Sequence, residues 1–254
     1  MSVLTSKQIA KMKAIQWWHR IELGVDEGGE PVVTPGRVDH GPVGGDWPTT
    51  RFGLPEGLTG KTVLDIGAWD GFFSFESEKR GAAQVVASDI GADDGGHPFG
   101  NDGFEFAQKT LGSKVKFRHG DLSKEKIREL GQFDVVLCYG VLYHMHNPWT
   151  AFDNLFALTK PGGLLLLETA TSPDRDILHS ETAAWTFFPG YDNDPTNFWY
   201  PNHTGVSAAL THAGFEEPAL VFNLSDARAT FSGTKPAARS QRRAVEAGAY
   251  VGHA

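Results

Sequence analysis

From Lys61 onward, short unbroken apolar runs alternate with stretches whose apolar residues recur at helical spacing. The runs TVLDI (62–66), QVVASD (84–89), KVKFRH (114–119), FDVVLC (133–138) and LLLLET (164–169) read as strands. Between them, GFFSFESEKR (71–80) predicts a helix closed by Gly81, and a segment ending in FEFAQKTL (104–111) predicts one closed by Gly112. SKEKIREL (123–130) and WTAFDNLFALTK (149–160) predict two more, the latter stopped by Pro161-Gly162-Gly163. In it, Trp149, Phe152, Leu155 and Phe156 form a stripe expected to face the core. Further on, HTGVSAALTHAGF (203–215) predicts a helix, PALVFNL (218–224) a strand, and RRAVEAGAY (242–250) a final edge strand. Buried strands joined by helical crossovers specify an α/β fold: Rossmann-like, doubly wound, with a mostly parallel sheet.

Residues 1–60 break this rhythm. A helix is expected over 5–20, followed by a Gly/Pro-rich stretch without periodicity, so this part reads as an N-terminal helical cap on a domain spanning 61–254. Within that domain, residues 170–203 hold WTFFPGYDNDPTNFWYPN, Trp185 to Asn202, with seven aromatics in eighteen residues. Its proline and glycine breaks suit neither a long helix nor a long strand.

Composition narrows the function. At 254 residues with 40% hydrophobic content, the chain supports one large core. A formal net charge of −8 argues against a nucleic-acid partner. The single cysteine, Cys138, fits a reducing compartment. The N-terminus carries no apolar run suited to export or membrane insertion, so a cytoplasmic protein is expected.

The first strand ends in LDIGAWDGFFSF, where Gly67 and Gly71 bracket the turn into a helix. Glycines there let a ligand approach the backbone, and the helix start offers free N–H groups. Trp69 stands where a dinucleotide fingerprint needs its second glycine, so Gly67, Ala68, Trp69 and Gly71 suit a ligand without a diphosphate. Asp65 is placed to hold an ammonium or a backbone amide. Asp89, next to Ile90 at the second strand end, suits two ribose hydroxyls; Asp121, beside Leu122 after the third, suits an adenine amino group. Tyr139 and Gly140 end the fourth strand on the same sheet edge. Ribose, adenine and a charged amino-acid tail together describe S-adenosylmethionine as cofactor.

Over roughly residues 61–225 the pattern resembles the class I S-adenosylmethionine-dependent methyltransferases, which implies a seven-stranded sheet. GVLYHMHNP (140–148), LLLLET, and NFWYPN followed by a helix and AGF resemble the wobble-uridine carboxymethyltransferase family and its shorter methyltransferase relatives. WWHRIELG (17–24) and TPG (34–36) resemble those relatives' N-terminal signature. The resemblance matches Tyr143 to a donor-facing tyrosine. That family also holds a carboxylated donor with a lysine upstream of the first strand, and no lysine lies between Ala14 and Gly60 here. Its late arginine has three candidate counterparts, Arg228, Arg242 and Arg243. Plain S-adenosylmethionine is therefore the expected donor.

Methyl transfer is an in-line displacement that gains from alignment, exclusion of water and, for a hydroxyl acceptor, a base. Tyr143, His144 and His146, just past the fourth strand, are the catalytic candidates. His19, Trp185, Tyr191, Asn197, Trp199 and Tyr200 are the candidates for the acceptor side, with Asn202 as a further polar orienter. No His, Asp or Glu pair has an established metal spacing, and no metal is expected. The expected activity is methylation of a small organic acceptor at oxygen, on a specialised metabolite. Two rivals stand beside it: a transfer-RNA wobble-uridine enzyme and a non-catalytic nucleotide-binding protein.

Overall fold

The computed structural model describes residues 2–41, 48–90, 101–225 and 227–237. The cap contains β1 (Val3–Leu4), α1 (Ser6–Ala14), β2 (Glu22–Asp26) and β3 (Pro31–Val33), with the three strands in one small sheet. The helix expected over 5–20 stops at Ala14 for a local reason. The Trp17 indole N–H donates to the Met12 carbonyl, and the N–H groups of Trp18 and His19 are drawn to Asp70. A side chain outside the helix thus takes donors that helical hydrogen bonds would use.

The main domain then runs β4 (Thr62–Ile66), α2 (Phe72–Lys79), β5 (Gln84–Asp89), α3 (Asp102–Leu111), β6 (Lys116–His119), β7 (Phe133–Tyr139), α4 (Pro148–Leu158) and β8 (Thr159–Ala170). After it come α5 (Arg175–Leu178), the ribbon of β9 (Trp185–Phe187) and β10 (Trp199–Pro201), α6 (His203–Ala213), β11 (Glu216–Ser225) and β12 (Arg228–Thr234). Seven strands form one sheet in the order β11-β12-β8-β7-β4-β5-β6. β8, β7, β4, β5 and β6 are mutually parallel, and β12 runs antiparallel to both its neighbours.

Alternation along the strands supplies two cores. Val63, Val135 and Leu137 face Phe73, Phe75 and Phe104 on one side; Leu64, Ile66 and Val136 face Phe152, Leu155 and Phe231 on the other. No helix among the described residues is long and apolar enough to cross a membrane.

Several local expectations are corrected. SKEKIREL winds only as a 3-10 turn, Glu125–Leu130, with Ile127 alone fully buried. One apolar contact cannot hold a longer helix. Trp149 is 48% exposed and leaves the core stripe to Phe152 and Leu155. The seventh strand is RATFSGT, whereas RRAVEAGAY, with Arg242 and Arg243, lies outside the described residues.

Candidate functional site

Sheet order reverses between β4 and β7, and ligands of open α/β sheets bind where that happens, beyond the strand ends. Gly67 follows β4 at φ 72°, and a Cβ on it would lie 2.3 Å from Val141 Cγ2, so the two strand ends meet through a position only glycine fits. Trp69 takes the left-handed conformation at φ 51°. Its N–H donates to Asp89 at 2.8 Å and its ring lies 5.3 Å from that of Trp18. Gly71, at φ 88°, precedes α2 without a side-chain cap. Asp65, 3% exposed, accepts from the Ser74 hydroxyl at 2.6 Å. Burial pushes its carboxyl up to about 6, against the pull of Ser74 and of the nearby His19.

The opposite wall follows β7. The Tyr139 hydroxyl donates to the Phe52 carbonyl at 2.9 Å, and Gly140 turns the chain at φ 72°. Arg228, from β12, grips Glu168 of β8 through Nε at 2.6 Å and Nη2 at 2.9 Å. It also donates to the Tyr143 hydroxyl at 3.2 and 3.3 Å. Burial alone would lower the Arg228 pKa, but Glu168 and Tyr143 hold it well above the ordinary arginine value. Burial raises the Tyr143 phenol despite Arg228, so it stays protonated at neutral pH.

His144 Nδ1 lies 3.1 Å from the Thr196 carbonyl and 2.9 Å from its hydroxyl. That hydroxyl donates to Asp194 at 2.6 Å, so the ring must supply the proton of its own bond from Nδ1. Nε2 is left with a lone pair. Burial lowers the His144 pKa, which keeps the ring neutral, while hydrogen bonds from Thr196 hold Asp194 below the usual carboxylate range.

These walls enclose a cavity of about 600 Å³, within the range of small-molecule sites. Of the sequence candidates, Asp65, Gly67, Ala68, Trp69, Tyr139 and Gly140 line it, as do Tyr143, His144, His19 and Asn197. Asp89 stands behind Trp69, with Ile90 N–H on its second oxygen. Gly71 is packed under Phe75 and Phe104, each within 2.6 Å of a Cβ added there.

Other candidates lie apart. Asp121 lines a separate groove of about 760 Å³ along the β6 edge, which is larger but lacks the glycine turn and the buried Asp65; Leu122 is core. His146 is exposed, 4.0 Å from the Phe198 ring. Trp185 packs on Trp149 and Phe152, and Trp199 donates its indole N–H to the His146 carbonyl at 3.2 Å. Tyr191 and Tyr200 pack edge to face at 5.0 Å, with Tyr200 only 3% exposed. Asn202 is structural: its carbonyl accepts from Gly205 and Ala184, and its amide donates to Ile177, Ser180 and Thr182.

The sequence candidates lacked Asp70, Glu168 and Asp194, and included Arg228 only as one of three counterparts of a family arginine. Asp70 does sit inside the quoted glycine turn, and Glu168 ends a strand beside Asp65's edge, which was the available signal. Asp70, Glu168 and Arg228 find partners 51 to 85 residues away along the chain, beyond any periodic pattern, while Asp194 reaches His144 through Thr196.

The sequence profile of the methyltransferase domain family matches residues 48–217, spanning the glycine turn, Tyr143 and His144. The chain belongs to that family. It is a class I, S-adenosylmethionine-dependent methyltransferase. A ubiquinone biosynthesis O-methyltransferase of Pseudomonas aeruginosa is 33% identical over 228 residues, 87% of this chain and 88% of that one. With the enzyme of the same name from Psychrobacter cryohalolentis, 31% identity extends over 128 residues, about half of each chain. A tRNA U34 carboxymethyltransferase of Helicobacter pylori is 30% identical over 48% of this chain and 45% of its own. The N-terminal domain of EvdMO1, solved with SAH bound, shares the fold at a TM-score of 0.64 and 18% identity, covering 91% of this chain and 94% of that one. The methyltransferase cofactor fits the residues present: Gly140, on the cavity wall, has nothing nearer than 3.8 Å to a Cβ position, and Asp65 is a buried carboxylate whose charge calls for a cation.

Proposed function

We propose that this methyltransferase acts on an oxygen of a small organic acceptor, a specialised metabolite. The observation that carries the reading is the cavity, which sets the glycine turn and Asp65 opposite Tyr143 and a neutral His144. Oxygen as the acceptor atom is supported by the Pseudomonas O-methyltransferases that align with most of the chain.

The cofactor supplies an electrophilic methyl on a sulfonium. The protein's part is placement and proton removal. Asp65 and the glycine turn hold the donor's tail and nucleoside. Tyr143, with Arg228 behind its oxygen, offers its own O–H to orient the acceptor. His144 Nε2 takes the acceptor's proton, and the imidazolium that forms is favoured by Asp194 through Thr196. Asn197, 7% exposed on the cavity wall, adds a polar contact.

Plain S-adenosylmethionine suits the site better than a carboxylated donor. Arg228 is already neutralised by Glu168 in two-point contact, so an extra carboxylate finds no uncompensated cation there. In a competition assay the plain donor should bind at least as well; a clear preference for the carboxylated form would overturn this. The acceptor itself is tested by mass spectrometry of small molecules retained on the purified protein. A hydroxylated small molecule or its methyl ether supports the reading, and retained transfer RNA contradicts it.

A further inference from the structure

The cap contributes one side chain held on every side. The His19 N–H donates to Asp70 Oδ2 at 2.8 Å, its carbonyl accepts from the Thr34 hydroxyl at 2.6 Å, and its Nδ1 meets Asp70 Oδ1. The Phe72 ring stacks on the imidazole at 5.5 Å, and His40 flanks it at 5.2 Å. Gly36 crosses so closely that a Cβ there would stand 2.1 Å from the His19 carbonyl. With Nδ1 committed to Asp70, Nε2 makes no hydrogen bond among the described residues, yet the ring lines the cavity. Arg37 follows Gly36, lines the same cavity, and makes no ion pair among the described residues.

A ring backed by the Asp70 carboxylate, beside the Arg37 cation, suits an anion, and the cavity narrows which one. An amino-acid tail is a zwitterion whose two charges sit on one carbon. If Asp65 faces the ammonium, the carboxylate must find donors close by. Charge on His19 eases ionisation of Asp65, so the two groups are neighbours. The other lining arginine, Arg228, is spent on Glu168.

We propose that His19 and Arg37 bind the carboxylate of the donor's amino-acid tail, with Asp70 as the positioning residue that aims His19. This rests on the cavity being the S-adenosylmethionine site. Held between two carboxylates in the complex, the ring donates Nδ1–H to Asp70 and Nε2–H to the ligand, and Arg37 adds a second charge-assisted bond from the open side. It gives His19 to the donor rather than to the acceptor, and it makes the cap part of the cofactor site.

The test is calorimetry on the full chain with S-adenosylhomocysteine and with its analogue lacking the carboxyl group. The unaltered protein should bind S-adenosylhomocysteine at least ~10-fold more tightly than the analogue. His19→Asn and Arg37→Gln should each weaken S-adenosylhomocysteine by ~5-fold or more and leave the analogue within ~2-fold, so the preference collapses. Equal affinity of the unaltered protein for both ligands overturns the proposal. So does an equal loss for both ligands in the variants, which is what a merely structural His19 would give. Arg37 is exposed, so Arg37→Gln tests the assignment even if His19→Asn fails to fold. Absence of S-adenosylhomocysteine binding by the unaltered protein would instead bring down the cofactor assignment on which the proposal stands.

Discussion

Asp65 is costly to the unliganded fold. Its folded carboxyl titrates near 6, against an ordinary 3.8, because burial disfavours the charge. The folded chain therefore holds a proton between those values that the unfolded chain has lost. Stability from this group is complete below about 4 and lost as pH rises through about 6. Asp65→Asn should raise the melting temperature of the unliganded protein at pH 7, by a term of about 3 kcal/mol at most, with the gain fading below pH 6. The same variant should bind S-adenosylhomocysteine at least ~10-fold more weakly. Thermal unfolding across pH and calorimetry check both halves; a variant that gains no stability at neutral pH would show that Ser74 already compensates the charge. His144 makes a second residue-scale prediction. Because burial keeps the ring neutral, the rate should fall only when pH drops below the ordinary histidine value, and His144→Asn should abolish that acid limb. Single-turnover rates measure it, and a limb that survives in His144→Asn removes this residue as the base. Asp65, Gly67 and Tyr143 were legible as cavity-lining positions because each lies at or just past a strand end in its own local pattern. Asp70 was not, and Arg228 could not be told from Arg242 and Arg243, because their meaning lies in His19 and Tyr143, 51 and 85 residues away.

At the scale of elements, the aromatic segment is tied together by one asparagine and one ribbon. Asn202 uses both ends of its amide to tie residues 177–184 to the start of α6, and β9 pairs with β10 as an antiparallel ribbon. Two neighbours on that ribbon should behave differently. Tyr200 is packed, so Tyr200→Leu should lower the melting temperature and leave acceptor KM nearly unchanged. Trp199 holds the His146 carbonyl, so Trp199→Leu should loosen the 140–147 loop and raise acceptor KM, with donor affinity kept. Steady-state kinetics beside thermal unfolding separate them, and parallel loss of stability and donor binding in both would make the ribbon packing alone. Six strands were legible as apolar runs; β12 was not, since RATFSGT is mostly polar or small apart from Phe231 and is defined by its pairing with β8. The helix expected through residue 20 failed where Asp70, on another element, took the backbone donors.

For the whole molecule, cap and sheet meet at the glycine turn. Asp70 receives Trp18 and His19 from the cap while Trp18 rests on Trp69, so a ligand filling the cavity touches both parts. The doubly wound topology was readable because each β–α alternation was regular; the cap's small sheet was not, because its strands are two, five and three residues long. The central claim, methyl transfer to a small acceptor's oxygen inside this cavity, is tested by incubating the protein with S-adenosylmethionine carrying an isotopically labelled methyl and a panel of small hydroxylated acceptors. Mass spectrometry should find the label on an acceptor oxygen, one S-adenosylhomocysteine formed per methyl moved, and the transfer strongly reduced in His144→Asn. Label found on transfer RNA and on no small molecule would contradict the account.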